Sequence, residues 1–174
     1  LGGEDADLMI GGGKFNGRTT RFFVGAVTCA FECIHAQTVA YRDLKPENLV
    51  LDAAGRIKLV DFGMAKVVEV RTFTVCGTPE YMAPEIIHGT GHGRAADYWA
   101  LGVLVYEMLC GITPFADETS SSHLKIYKRV DRHCTLFEKR AEDSRKTLIE
   151  WPNWVRSRAV RDLVLGLLTP RVSH

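Results

Sequence analysis

Apolar residues recur along this chain with two different periods. Between Thr19 and His35 they fall at Phe22, Phe23, Ala26, Val27, Ala30, Phe31 and Ile34, a broad stripe that predicts an α-helix. Thr19 or Thr20 is placed to cap it, because a side-chain oxygen there would satisfy the helix's first free N–H groups, and His35 ends the pattern. From Asn48 to Asp61 the period shortens. Leu49-Val50-Leu51 is a short apolar run, Asp52-Ala53-Ala54-Gly55 has turn chemistry, and Arg56-Ile57-Lys58-Leu59-Val60 alternates, which together predict a β-hairpin. A hairpin holds its ends side by side, so Asn48 and Asp61 are expected to be neighbours able to share a cation. Lys66 to Thr78 is polar and irregular, and Gly77-Thr78-Pro79-Glu80 marks turns. Ala95 to Cys110 is apolar nearly all round and stops at Gly111, and a helix with no polar face belongs in the interior. Asp97 and Glu107 are its only charges, so each needs a partner. Asp131 to Thr147 is dense in charge with little periodicity and predicts an exposed, mobile insertion over 131–147. From Val155 onward, Ala159, Leu163, Val164, Leu167 and Leu168 predict a last amphipathic helix. The expected fold class is mainly α with one small antiparallel hairpin.

Composition narrows the function classes. With 174 residues, 46% hydrophobic and 25% charged, the chain suits one domain or a substantial piece of one. A chain of this size buries roughly 70% of the surface it exposes unfolded. Its 22 basic and 21 acidic residues leave a net charge of +1, so no field gathers a polyanion and nucleic acid is not an expected partner. No apolar run reaches membrane-spanning length and no signal peptide opens the chain. The odd, unpatterned cysteines suit a reducing cytosol or nucleus, and a cytoplasmic, intracellular protein is expected. The chain starts at Leu1 without a Met and reads as an excerpt. Five cysteines lack metal-ligand spacing, and Cys29 and Cys33, one helical turn apart, are expected to face the core as small hydrophobes. Gly11-Gly12-Gly13-Lys14 invites a phosphate-loop reading, but Phe15 stands where Ser or Thr would bind a metal and the motif's first Gly is missing. A flexible turn is the expectation there.

The chemistry concentrates in Tyr41-Arg42-Asp43-Leu44-Lys45-Pro46-Glu47-Asn48. One short polar loop carries a carboxylate that can orient a hydroxyl, an ammonium that can neutralise a phosphate and a carboxamide that can hold a metal, a combination suited to phosphoryl transfer. This loop resembles the catalytic loop of protein kinases, with Tyr41 where most have His. Asp61-Phe62-Gly63 and Ala83-Pro84-Glu85 follow in that family's order. Tyr-Arg-Asp together with Arg71-Thr72-Phe73-Thr74-Val75-Cys76-Gly77-Thr78-Pro79-Glu80-Tyr81 is similar to the AGC group, and within it to the cAMP- and cGMP-dependent Ser/Thr kinases. Gly91-His92 before Ala96-Asp97-Tyr98-Trp99 leans toward the cGMP-dependent branch.

The resemblance implies the helical large (C-terminal) lobe of a kinase, residues 1–174, truncated at both ends and without its N-terminal lobe. It implies ATP and Mg2+ as cofactors, Asp43, Lys45 and Thr78 as catalytic residues, Asn48 and Asp61 as metal ligands, and Glu4 and Val50 at the nucleotide. Thr78 is expected to bridge Asp43 and Lys45. It further implies Thr74 as an activating phosphosite received by Arg42 and Lys66, and Glu4, Glu47 and Glu107 as readers of basic residues before the phosphoacceptor. Tyr41 and Phe62 are expected to stack in the core, Asp97 to cap the catalytic loop, and Glu85 to stand without its usual Arg partner. Asp5-Ala6-Asp7 departs from the family, whose members carry large apolar residues there, one of them flooring the adenine site. The expected partners are protein substrates with basic residues near Ser or Thr, the missing lobe, and cyclic-nucleotide-binding regulatory domains. A catalytically silent, kinase-like binding module is the competing class, and a two-metal hydrolase on Asp43, Asn48 and Asp61 lacks a further bridging carboxylate. The 174 residues alone are expected to be inactive and marginally stable.

Overall fold

A computed structural model describes residues 13–116, 122–139 and 149–170. Five helices carry the architecture: α1 (Gly17–His35), the single turn α2 (Pro84–Ile87), α3 (Ala95–Cys110), α4 (His123–Lys139) and α5 (Arg158–Leu167). Two short antiparallel ladders sit between α1 and α2. Strand β2 (Leu49–Leu51) pairs with β3 (Ile57–Leu59) in the register Leu49↔Leu59, and β1 (Val39–Ala40) pairs with β4 (Lys66–Val67). Among the described residues no helix is long and apolar enough to cross a membrane.

α3 is the axis. Thirteen of its side chains are buried, and it packs against α1, α5 and the 3-10 turn Pro79–Tyr81. The close approach of α5 explains Gly102, where a Cβ would lie 2.9 Å from Leu167 Cβ and from Leu168 Cδ2. Gly111 closes the helix in the left-handed region (φ 81°) and donates its N–H to Glu107 O at 2.7 Å, which a residue with a side chain would do only under strain.

The first helix is capped earlier than the sequence suggested. Asn16, not Thr19 or Thr20, accepts from the Arg18 and Thr19 N–H groups at 2.9 Å. Thr20 turns inward and bonds back to Asn16 O. The buried face of α1 is Thr20, Phe23, Val27, Phe31 and His35, narrower than the expected stripe, so Phe22 is half exposed. Cys29 and Cys33 are exposed, contrary to expectation, because they lie on the opposite side of α1 from Phe31 and His35.

Residues 131–139 are helical rather than irregular: they complete α4, whose inner stripe Ile126, Val130 and His133 is buried, while the rest of 131–139 is exposed or half-exposed. His133 donates through Nε2 to Leu168 O at 2.9 Å and packs beside Phe115 and Trp99. The high charge of this segment falls on the outer face of α4, which hid the helical period. Residues 140–148 lie outside the described residues.

Candidate functional site

Two adjacent turns build the site. The first runs from β1 through Pro46–Asn48 and is held from below by Asp97 of α3, which is 1% exposed. Asp97 Oδ2 accepts from Tyr41 N (2.9 Å), Oδ1 accepts from Arg42 N (2.8 Å), and His35 Nε2 meets Oδ2 at 2.7 Å. This carboxylate thus takes the capping role expected of it, and its further partner is His35 at the end of α1. Arg42 is held at φ 70°, a left-handed conformation costly for a residue with a side chain, and it sits immediately before Asp43.

Asp43 is the centre. Thr78 Oγ1 donates to its Oδ1 at 2.9 Å, while Lys45 Nζ at 3.0 Å and Asn48 Nδ2 at 3.2 Å approach its Oδ2. Asn48 also donates to Asp43 O at 2.8 Å. Thr78 and Lys45, expected together at this carboxylate, both contact Asp43, through Oδ1 and Oδ2 respectively. A carboxylate offers about four acceptor positions. Three are taken, which leaves Oδ1 one lone pair for an incoming hydroxyl.

The hairpin brings the second turn alongside. Val60 N donates to Asn48 O at 3.0 Å, so Asp61, the next residue, emerges beside Asn48 at the open end of the ladder. Asp61 has φ 55°, is exposed, and accepts from Gly63 N at 3.1 Å through Oδ1. The Asn48 amide spends its nitrogen on Asp43, which turns its oxygen elsewhere. An amide oxygen and a carboxylate in this arrangement are the hard oxygen donors that suit Mg2+, with phosphate oxygens completing the shell. Among the described residues no group of three or more His, Cys, Asp or Glu could hold a metal by itself.

Tyr41 is fully buried, and its hydroxyl donates to Val60 O at 2.5 Å, tying the two turns together. Burial pushes its phenol well above the ordinary range. Phe62 packs edge-on against Tyr41 with centroids 5.3 Å apart, yet it is 48% exposed and not in the core as expected. Val50 lies on β2 opposite Lys58 and is also partly exposed. Glu4 lies outside the described residues.

An acidic corner lies beside the Asp43 loop. The Tyr81 hydroxyl donates to Glu107, and burial raises the Glu107 carboxyl above the usual carboxylate range, with Glu47 and Glu80 adding to the effect. Tyr81 was not singled out from the sequence, although Glu107's need for a partner was. Glu47 itself is exposed. Glu85, in α2, is engaged and not left unpartnered, and its backbone carbonyl accepts from Thr90.

Thr74 is exposed, and its Oγ1 lies 3.5 Å from Thr72 Oγ1. Lys66 Nζ donates to Thr72 at 3.0 Å, and Arg42 Nε donates to Met64 O at 2.8 Å. Of the two expected phosphate receivers, Lys66 thus reaches the neighbouring Thr72 while Arg42 is held at Met64, and among the described residues neither is bonded to Thr74.

Comparison with known proteins agrees with this geometry. The protein kinase domain family model matches residues 2–174. The chain is 52% identical over 129 residues to the human cAMP-dependent protein kinase catalytic subunit PRKX, covering 74% of this chain and 35% of that protein. It is 50% identical over 129 residues to the cAMP-dependent protein kinase catalytic subunit of Dictyostelium discoideum, 74% of this chain and 19% of the relative. It is 48% identical over 134 residues to the cGMP-dependent protein kinase, isozyme 1, of Drosophila melanogaster, 75% of this chain and 17% of the relative. The chain therefore spans less than half the length of these relatives. A carboxylate held by Lys, Asn and Thr beside an Asn/Asp pair, on a scaffold with these relatives, places the chain in the protein kinase domain family, on the side of the AGC group.

Proposed function

We propose that the protein carrying this chain is a Ser/Thr protein kinase that transfers the γ-phosphate of ATP to Ser or Thr hydroxyls preceded by basic residues. One observation carries the reading: the Asp43 carboxylate is fixed by Thr78, Lys45 and Asn48, with one acceptor position open among the described residues. Asp43 orients the substrate hydroxyl and takes its proton late, since a carboxylate is a weak base. Lys45, already at Asp43, sits where it can neutralise charge on the transferring phosphoryl group. Asn48 and Asp61 would hold Mg2+, which with ATP supplies charge neutralisation and the activated phosphoryl group. Val50 and Glu4 would line the nucleotide. A second kinase lobe would cover the exposed Val50, Phe62 and Met64. Phosphorylation of Thr74 would be the activating modification.

Glu107 supports the basic-substrate reading. A half-buried carboxylate with Glu47 and Glu80 nearby shows no cation partner among the described residues, and a substrate guanidinium would supply one with fork geometry. Cyclic-nucleotide-binding domains would regulate the whole protein, which would act inside the cell. The test is phosphotransfer by the whole protein to peptides with and without Arg before the Ser. Asp43→Asn should lower kcat by about 10²–10⁴-fold with KM little changed. Glu107→Gln should raise KM for the Arg-containing peptide alone. Absence of any transfer by the whole, Thr74-phosphorylated protein would favour a silent binding module.

A further inference from the structure

The segment after β4 is docked onto the loop before α3 by one antiparallel bridge. Thr72 N donates to His92 O at 2.8 Å, and His92 N donates to Thr72 O at 2.9 Å. Residues that exchange both hydrogen bonds stand directly opposite, with their side chains on one face of the ladder. His92 therefore stands beside the Thr72 side chain, whose hydroxyl takes Lys66 Nζ at 3.0 Å and lies 3.5 Å from the Thr74 hydroxyl. The docking is tight on its other side as well. Gly91 has φ 90°, and a Cβ there would lie 2.8 Å from the Phe73 ring.

Two buried nitrogens at this place have no hydrogen-bond partner among the described residues: Nε2 of His92, a residue only 3% exposed, and Nη1 of Arg42. The charges that act on the His92 ring are Arg42 from the loop before Asp43, Lys66 from β4 and Asp97 from α3. Asp97 is already committed to His35 and to the Tyr41 and Arg42 backbone. Native proteins rarely leave buried polar nitrogens unpaired, and with Arg42 and Lys66 against a committed Asp97 an incoming anion would find partners here. The exposed Thr74 hydroxyl lies 3.5 Å from the hydroxyl of Thr72, the residue that pairs with His92 and takes Lys66.

Resting on the reading of Thr74 as a phosphosite, we propose that His92 is a further residue of the phosphate pocket, protonated as the Thr74 phosphate docks, so that docking of segment 66–78 depends on pH. Phosphorylation replaces the Thr74 hydroxyl proton with the γ-phosphoryl group of a nucleoside triphosphate, which leaves as the diphosphate with the proton released. In the unphosphorylated chain, burial and the Arg42 and Lys66 charges hold the imidazole below its ordinary value, which favours its neutral form. A phosphate of nearly two negative charges reverses the local field. Protonated His92 then holds the phosphate more tightly than neutral His92. Docking is strongest below the raised midpoint of His92 and weakens as pH rises through it. Below about pH 6 the phosphate itself begins to lose charge.

The experiment compares the protein with and without phosphate on Thr74, its stoichiometry fixed by mass spectrometry. The His92 imidazole carbon and the phosphate ³¹P resonances are titrated by NMR. Phosphorylation should raise the His92 midpoint by about one to three units, lower the ³¹P midpoint, and make phosphatase protection of Thr74 decline as pH rises. His92→Gln, which keeps a donor but no charge, should abolish that decline. A ³¹P midpoint that shifts on folding and responds to Arg42→Lys, with His92 unmoved and His92→Gln without effect, would overturn the role of His92 and leave the phosphosite standing. A ³¹P midpoint equal to that of the unfolded phosphopeptide would remove both.

Discussion

Asp97→Ala is the most informative single perturbation. The carboxylate is 1% exposed and accepts from two backbone N–H groups, Tyr41 at 2.9 Å and Arg42 at 2.8 Å, as well as meeting the His35 ring at 2.7 Å. Tyr41 is itself fully buried, so water cannot replace the lost acceptor without opening the loop. Each orphaned donor costs about 1–3 kcal/mol, and removing one partner of a buried charged cluster typically costs about 3–5 kcal/mol. Part is returned as Arg42 relaxes from φ 70°. A net loss of about 3–4 kcal/mol is expected, a large share of the ~5–15 kcal/mol that holds a domain together. Asp97→Asn keeps one acceptor oxygen and loses the other, so about half that loss should follow. The assay is urea denaturation followed by tryptophan fluorescence, with the midpoint converted at constant m. Asp97→Ala losing less than about 1 kcal/mol at unchanged m would refute the claim that this side chain holds the Asp43 loop.

Three further outcomes follow from other parts of the structure. Burial raises the Glu107 carboxyl, so the folded state binds its proton more tightly than the unfolded state; stability is present at acid pH and is lost as pH rises through the raised value. Glu107→Gln should flatten that decline and be more stable than the native chain at pH 8, read from denaturation midpoints across pH. Gly102→Ala puts a methyl within 2.9 Å of Leu167 and Leu168 and should cost about 1–3 kcal/mol by pushing α5 off α3, measured as a thermal midpoint. Gly77→Ala places a Cβ at φ 109° and 2.8 Å from Arg42 O, so it should shift the neighbouring Thr78 from Asp43 and lower kcat by more than tenfold in the whole protein, with little change in nucleotide KM.

The sequence by itself determined the elements whose cause is local. An all-apolar run of helical length stopped by Gly111 can only be an interior helix, and α3 ends there. Turn chemistry over Asp52–Gly55 between an apolar and an alternating run made the hairpin legible, and the structure supplied its register, Leu49↔Leu59. Hairpin closure in turn made Asn48 and Asp61 neighbours, and the demand that Asp97 and Glu107 find partners followed from charge in an apolar helix. Tertiary structure alone decided who those partners are. His35, at the far end of α1, and Tyr81, in a separate turn, reach Asp97 and Glu107 across 62 and 26 residues, and no spacing rule encodes such separations. The face of α1 that stays exposed, with Phe22, Cys29 and Cys33, was equally hidden, since a broad stripe does not say which part of it finds a neighbour. α4 was missed because its buried residues are few and its outer face carries the charge, so its period shows only once there is a body for Val130 and His133 to pack against. Local sequence fixes conformations within a few residues of themselves; burial and long-range pairing are properties of the assembled chain, where desolvation chooses between alternatives that the residues alone leave equal.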